Sequence, residues 1–246
     1  MTLAINGLLD SDPATHWPPD GRPRQLSYGG GTITVVMKDE NGKIDLNLSP
    51  PELLAGLFAT RGLDSDLRAR LLAEIYRRRR QIAQSSVPVF AGRQVVSGNP
   101  NTVKAFDSVQ ELGTVQGLGR AEFERIRPFL TVYSQNGSVN PLTAPREVLE
   151  AVPGIDPAEV QALLAAQTAS DNTARFALPP IPPNLAAYIG QTGNGAATVT
   201  ATAVTAGGIS FTREAVVGMT NTPLQPYQIL EWRQPIDGAY AAGELR

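Results

Sequence analysis

The sequence of 246 residues has no cysteine, a single histidine and no long apolar run. Without cysteine, the protein has no disulfide bond, no thiolate zinc site and no cysteine nucleophile. His16 lies beside a turn-like stretch at residues 17–21, so a Ser-His-Asp triad or a multi-histidine metal site would depend on one loop residue. No segment approaches the roughly 18 consecutive apolar residues of a membrane span. We therefore predict that the protein is not an enzyme and has no catalytic residue.

Charge is also scarce, and its balance excludes several classes of partner. Charged residues make up 18% of the chain, hydrophobic residues make up 42%, and the net charge is -2. This composition excludes a disordered acidic tail and a basic nucleic-acid-binding chain. Glycine and proline are abundant instead, with 23 and 20 copies, which predicts many turns and short elements. The length is sufficient for one large domain or two ordinary ones.

Strand patterns occur near the N-terminus, and helical patterns follow them. Alternating apolar residues over residues 26–37 and 43–47 predict a β-hairpin, with its turn at Asn41-Gly42. Residues 49–166 then show apolar spacing of helical period, interrupted by glycine and proline. The middle of the chain is therefore predicted to be helical.

A second set of strand patterns, over residues 198–232, closes the chain. Strand-rich ends around a helical centre predict an α+β fold in which one sheet is completed from both ends of the chain. The α/β domain then combines residues 1–47 with residues 176–246. Residues 48–175 form an inserted all-helical domain.

An internal repeat aligns residues 44–57 with residues 139–152 without gaps. The aligned pairs include Pro50 with Pro145, Glu52 with Glu147, and Leu54 with Leu149. We interpret the repeat as a helix start, in which Ser49 is the N-cap, Pro50 takes the first helical position and a glutamate closes a capping box. In the second copy Ala144 occupies the cap position, which predicts a cap weaker by roughly 1 kcal/mol.

Two glycine turns between helical segments resemble helix-hairpin-helix motifs, which can hold a nucleic-acid phosphate. They are Gly117-Leu118-Gly119 and Pro153-Gly154-Ile155. Backbone amides at such a turn suit an anion, so a DNA-binding protein is the alternative hypothesis for this chain. Because the net charge is negative, we expect the hairpins to pack helix pairs and predict no nucleic-acid partner. The four arginines at residues 77–80 are interpreted as a solvated face near the end of a helix.

Several blocks along the chain together resemble one protein family in their order and spacing. They lie at residues 39–47, 50–54, 106–112, 125–134, 139–141, 143–145, 147–149, 153–154, 213–217 and 226–233. The sequence is similar here to the K-type minor pseudopilins of the bacterial type II secretion pathway. The resemblance implies a pseudopilin α/β domain, with an N-terminal helix on an antiparallel sheet, and a large helical insertion with helix-hairpin-helix or SAM-like repeats. It also implies a structural and assembly subunit at the pseudopilus tip, where I-type and J-type minor pseudopilins are its partners in protein secretion.

Family members begin with a leader and a long apolar helix in the inner membrane, and neither is present in this sequence. We therefore expect residues 1–9 to be the last turns of that helix. The chain is then the periplasmic domain of a protein anchored in the inner membrane. We predict that an apolar stripe on this helix contacts the I-type and J-type partners, while packing on the protein's own sheet is the alternative. The stripe consists of Leu3, Ile5, Leu8 and Leu9.

Calcium has been associated with some family members, and it requires several carboxylate oxygens together. Where members often have an acidic segment, this sequence has Tyr76 followed by arginines. We therefore expect no calcium and no other cofactor, and we assign no metal ligands. Residues 64–66 resemble the start of a calcium loop, but a helical pattern follows them, so we predict a helix cap there.

Overall fold

The structure is a computed structural model that describes residues 1–10, 12, 14–85, 104–168, 180–190, 195–222 and 224–233. The chain divides into two compact units. Unit 1 combines Met1–Gly42 with Gly193–Arg246, and unit 2 is Lys43–Thr192. Unit 2 therefore interrupts unit 1 in the sequence. The domain boundaries expected at 47/48 and 175/176 stay predictions, and the second of them lies outside the described residues.

The described residues contain six α-helices and seven strands. The α-helices are α1 (Thr2–Leu9), α2 (Pro51–Thr60), α3 (Ser65–Ser85), α4 (Arg120–Ile126), α5 (Arg146–Glu150) and α6 (Pro157–Thr168). The strands are β1 (Arg24–Tyr28), β2 (Gly31–Asp39), β3 (Ile44–Asp45), β4 (Leu130–Thr131), β5 (Ala197–Val204), β6 (Ser210–Thr222) and β7 (Gln225–Arg233). Short 3-10 helices occur at Glu40–Gly42, Val109–Thr114, Arg127–Phe129 and Pro183–Leu185. Within these described ranges, every helix is too short or too polar to cross a membrane.

Unit 1 is an antiparallel sheet with α1 packed on one face. The strand order is β1-β2-β5-β6-β7, so strands from both ends of the chain meet where β2 pairs with β5. Apolar residues that alternate along the strands face α1 and form the core. They include Val35, Met37, Ala197, Val199, Ala215 and Val217. The expected combination of a helix with an antiparallel sheet is confirmed.

The hairpin near the N-terminus pairs different strands, through a different turn, from those predicted. β1 and β2 form the hairpin, and its turn is Gly29-Gly30, with φ angles of 57° and 75°. Two consecutive positive φ angles define the tight turn whose twist matches paired strands, and glycine adopts them without strain. The predicted turn at Asn41-Gly42 is wrong, because Asn41 donates from its backbone and side chain to the Asp39 carboxylate and belongs to a 3-10 helix.

We expect Gly30→Ala to destabilise unit 1 by about 1 kcal/mol. No atom lies within 4 Å of an added Cβ, so the entire effect comes from the positive φ angle. The urea midpoint of unfolding measures it. Gly207→Ala is the matched control in another hairpin of the sheet, since Gly207 has an ordinary φ and its nearest neighbour to an added Cβ is 3.9 Å away. Equal midpoints for both variants would contradict the assigned turn.

Unit 2 consists mainly of helices, but it also contains a parallel pair of two-residue strands. β3 pairs with β4 in the register Ile44 with Leu130. The expected all-helical insertion is therefore wrong at β4, because Pro128 ends α4 through a short 3-10 helix and leaves the chain extended. The core of unit 2 is built from large side chains that are fully buried. They include Phe58, Leu71, Ile75, Phe106, Leu112 and Ile126.

The helix starts in the two copies of the repeat differ from the predicted capping box. The N-caps of α2 and α5 are Pro50 and Pro145, and neither cap residue makes a side-chain hydrogen bond. Ser49 is not the cap, because its hydroxyl accepts a hydrogen bond from the Asp45 N–H at 2.9 Å. The predicted difference in cap strength at Ala144 does not follow, since that residue also precedes the N-cap.

The internal repeat of the sequence is nevertheless a repeat of structure. Matching hydrogen bonds run from the Ser49 N–H to the Asp45 carbonyl at 3.0 Å and from the Ala144 N–H to the Asn140 carbonyl at 2.9 Å. The helices that follow, α2 and α5, meet where Gly56 approaches the backbone of Ala151. These two residues occupy equivalent positions of the repeat, so the two copies pack on each other.

Candidate partner-binding surfaces

The apolar stripe of α1 divides between the core and the surface. Ile5 and Leu8 are each 3% exposed and pack with the sheet of unit 1. Leu9 is partly buried against the same core, whereas Leu3 is 66% exposed. Packing on the protein's own sheet therefore occupies Ile5 and Leu8. Contact with a partner stays a prediction, and Leu3 is the member of the stripe that is free to make it.

Trp17 packs against another side of α1, at Gly7. The backbone N–H of Trp17 donates a hydrogen bond to the backbone carbonyl of Gly7 at 2.8 Å. A Cβ added to Gly7 would lie 2.7 Å from two atoms of the indole, so only glycine fits there. The guanidinium of Arg24 lies 5.6 Å from the centre of the same ring. The sheet and Trp17 together fix α1 and leave the side that carries Leu3 open.

Aromatic side chains remain exposed on the sheet face that α1 covers. Phe211 lies opposite Ala203, and Trp232 lies opposite Ala215 of the core, so both rings point to that face. Phe211 is 46% exposed and Trp232 is 52% exposed. Neither ring belongs to the core cluster that α1 forms with the sheet. Sequence alternation assigns these rings to a face but does not show whether they belong to the core.

Arg78, the second arginine of the run on α3, makes its contacts within unit 2. It donates to Glu74 at 2.8 Å and to Glu111 at 2.9 Å, and its guanidinium lies 4.7 Å from the centre of the Phe106 ring. Hydrogen bonds from Arg77 and Arg78 lower the pKa of Glu74 to about 2. Arg78 thus joins α3 to the segment that contains Phe106 and Glu111.

The next residue, Arg79, also makes internal contacts. It donates to the carbonyl of Leu46 at 2.9 Å and to the carbonyl of Ser49 at 2.8 Å. Moreover, α3 continues to Ser85, so the arginine run lies inside the helix. The interpretation of the whole run as a solvated face near a helix end is therefore wrong for Arg78 and Arg79. Sequence reasoning missed the role of Arg79 because its partners are backbone carbonyls, and that of Arg78 because its partner Glu111 is 33 residues away in the chain.

A buried carboxylate organises the loops beside Arg79. Asp45 is 1% exposed. One of its oxygens accepts from the N–H groups of Asn47 and Leu48 at 2.7 and 3.2 Å, and the other accepts from the Ser134 hydroxyl and the Gln135 N–H at 3.0 and 3.1 Å. Burial raises the pKa of Asp45 above its usual value, and the hydrogen bonds oppose that rise. These hydrogen bonds join residues 45–48 to residues 134–135.

The two glycine turns are covered by side chains of this chain. Gly117 and Gly154 have φ angles of 88° and 75°, so both positions favour glycine. A guanidinium nitrogen of Arg70 lies 3.1 Å from the place of an added Cβ on Gly117, and the Asn184 amide nitrogen lies 3.8 Å from that on Gly154. Gly117 follows a 3-10 helix, and α5 has only five residues. The absence of a nucleic-acid partner stays a prediction.

Acidic residues do not gather into a metal-binding group anywhere in the part of the chain that the structure describes. Asp64 accepts a hydrogen bond from the Leu67 N–H at 2.8 Å and caps α3, so the cap predicted at residues 64–66 is confirmed. The expectation of no calcium stays a prediction.

The fold combines a helix on an antiparallel sheet with a second unit that interrupts it in the sequence, and a solved structure shares this fold. The chain is similar to a chain of the crystal structure of the GspK-GspI-GspJ complex from the type 2 secretion system of enterotoxigenic Escherichia coli. The TM-score is 0.51 with 15% sequence identity, and the match covers 87% of this chain and 83% of that chain. No family model matches the sequence, and no curated protein matches it. At this identity the likeness establishes the fold.

Proposed function

We propose that the protein is a K-type minor pseudopilin, which assembles with I-type and J-type minor pseudopilins at the tip of a type II secretion pseudopilus. The observation that carries the proposal is the position of unit 2 between Gly42 and Gly193 of a helix-on-sheet unit. The sequence blocks imply the same arrangement. Likeness to a chain of a GspK-GspI-GspJ complex over 87% of this chain supports the choice of partners.

The proposed mechanism is steric and interfacial and involves no catalysis. Unit 1 would join the pseudopilus through α1, and unit 2 would prevent another subunit from adding above it. Within this proposal the chain lies in the periplasm and its protein is anchored in the inner membrane. The contacts described above serve rigidity, which a blocking subunit requires.

Assembly with purified I-type and J-type subunits tests the proposal. We expect a ternary complex in size-exclusion chromatography with light scattering. Leu3→Glu should weaken that complex at least about tenfold, because a charge would enter an apolar contact. Ile209→Glu is the control in unit 1, since Ile209 is 73% exposed and lies between β5 and β6, next to the turn that joins them.

A chain that stays monomeric with both partners would overturn the proposal. Equal losses from Leu3→Glu and Ile209→Glu would retain the function but remove the interface assigned to α1. Salt-sensitive binding of duplex DNA without complex formation would favour the helix-hairpin-helix alternative instead.

A further inference from the structure

The exposed face of α3 carries a straight row of basic, polar and small side chains. Its residues recur at alternating intervals of three and four: Arg70, Ala73, Arg77, Arg80 and Gln84. The opposite face carries Leu67, Leu71 and Ile75, which are buried in unit 2. Intervals of three and four keep one face of a helix against a neighbouring helix over several turns. We call the exposed set the α3 seam.

Positive charge on the α3 seam is only partly neutralised. The helix contains six arginines and two acidic residues, although the whole chain has a net charge of -2. Arg77 donates to Glu74 and Gln81. Neither Arg70 nor Arg80 has a hydrogen bond or an ion pair with any residue that the structure describes. The seam therefore presents cations at both of its ends.

The surface along the seam has two shallow, open depressions. A depression of about 420 Å³ is lined by residues 114–116 and by Arg70, Ala73, Glu74, Arg77 and Arg78, and Glu74 is ion-paired with both Arg77 and Arg78. A depression of about 350 Å³ is lined by Ala73, Tyr76, Arg77, Arg80, Gln81 and Gln84. The two depressions share Ala73 and Arg77. The small side chain of Ala73 forms a low point between them, and Tyr76 beside it is 52% exposed.

We propose that the α3 seam binds an acidic amphipathic helix of a partner protein. Carboxylates of that helix would face Arg70, Arg77 and Arg80, and an apolar side chain would lie over Ala73. A second copy of this chain is disfavoured, because its seam would set arginine against arginine. Duplex DNA is disfavoured because three arginines over about 15 Å neutralise few phosphates on a chain that is negative overall. The proposal rests on unit 2 alone, so it is independent of the assembly partners of α1.

Fluorescence anisotropy with the full chain and matched peptides tests this surface. The probe is a helical peptide of about 20 residues with glutamate and leucine at intervals of three and four. Its comparison peptide has the same composition in scrambled order and therefore the same charge. We expect the probe to bind at least about tenfold more tightly than the scrambled peptide.

Charge-reversal variants locate the binding. Arg70→Glu combined with Arg80→Glu should weaken binding of the probe at least about tenfold. Arg70→Gln combined with Arg80→Gln should weaken that binding by a smaller factor. Arg120→Glu is the control, because Arg120 is exposed in the same unit and starts α4, where a carboxylate is favourable. Circular dichroism confirms that each variant is folded.

Four outcomes would overturn the proposal. These are failure of the probe to bind, equal binding of the scrambled peptide, an equal loss in Arg120→Glu, and tighter binding of duplex DNA or of phosphatidylglycerol vesicles than of the probe. Because the probe contains no pseudopilin sequence, each of these results leaves the assembly test with I-type and J-type subunits unaffected.

Discussion

Gly56→Ala is expected to destabilise unit 2 by about 3 kcal/mol, although alanine is intrinsically the better helix former by about 1 kcal/mol. The added Cβ would meet the carbonyl group of Ala151, whose carbon lies 3.0 Å away and whose oxygen lies closer still. Both partners are backbone, so neither can rotate aside. The helices α2 and α5 would have to separate at the contact between the two copies of the repeat.

Urea unfolding followed by circular dichroism measures this effect. Gly113→Ala is the matched control, because its nearest neighbours are ring atoms of Phe123 at an ordinary distance of 3.7 Å. We expect that variant to stay within about 0.5 kcal/mol of the parent protein. A Gly56→Ala protein as stable as the parent would show that α2 and α5 do not approach each other as described.

Asp45→Ala is expected to reduce stability by about 4 kcal/mol or more, because each donor that loses this acceptor contributes about 1–3 kcal/mol. Four donors face the carboxylate, from Asn47, Leu48, Ser134 and Gln135. Asp45→Asn should have an intermediate effect, since one oxygen is kept and the other is replaced by an amide that cannot accept from the Gln135 N–H. Chemical unfolding at neutral pH gives both values.

The pH dependence of the same variants provides an independent check. Because the pKa of Asp45 is raised in the folded state, the folded protein binds a proton more tightly there than the unfolded chain does. The contribution of this carboxyl to stability therefore falls as pH rises from about 3.8 through the raised value. Asp45→Asn removes this contribution. The free energy of unfolding of the variant should therefore fall further below that of the parent protein at low pH than at neutral pH. Asp107→Ala, at an exposed carboxylate, should leave stability within about 0.5 kcal/mol of the parent protein.

Local pattern predicted the strands of unit 1 but not their pairing. Alternation in β2 and in β5 to β7 follows from a sheet with one buried face, and that face contains Val35 and Val199. The hairpin was misassigned because Asn41-Gly42 and Gly29-Gly30 are both suitable turn sequences. The choice depends on β5, which pairs with β2 from beyond unit 2. No local preference contains that information.

The candidate surfaces were predictable in position but not in exposure. Spacing places Leu3, Ile5 and Leu8 on α1, yet the sheet and Trp17 decide which of them reaches solvent. The arginine run shows the same limit. Arg79 has the charge of a surface residue, but its partners are backbone carbonyls about 30 residues earlier in the chain.

The interruption of unit 1 by unit 2 imposes an order on folding during synthesis. The ribosome releases β1 and β2 before unit 2, and β5 to β7 only afterwards. A two-stranded hairpin is marginally stable in water, so β1 and β2 must wait for their partners while unit 2 is completed. During that interval the β2 edge that later pairs with β5 is open to other chains. Early folding of unit 2, whose residues are contiguous, shortens the time for which this edge is unprotected.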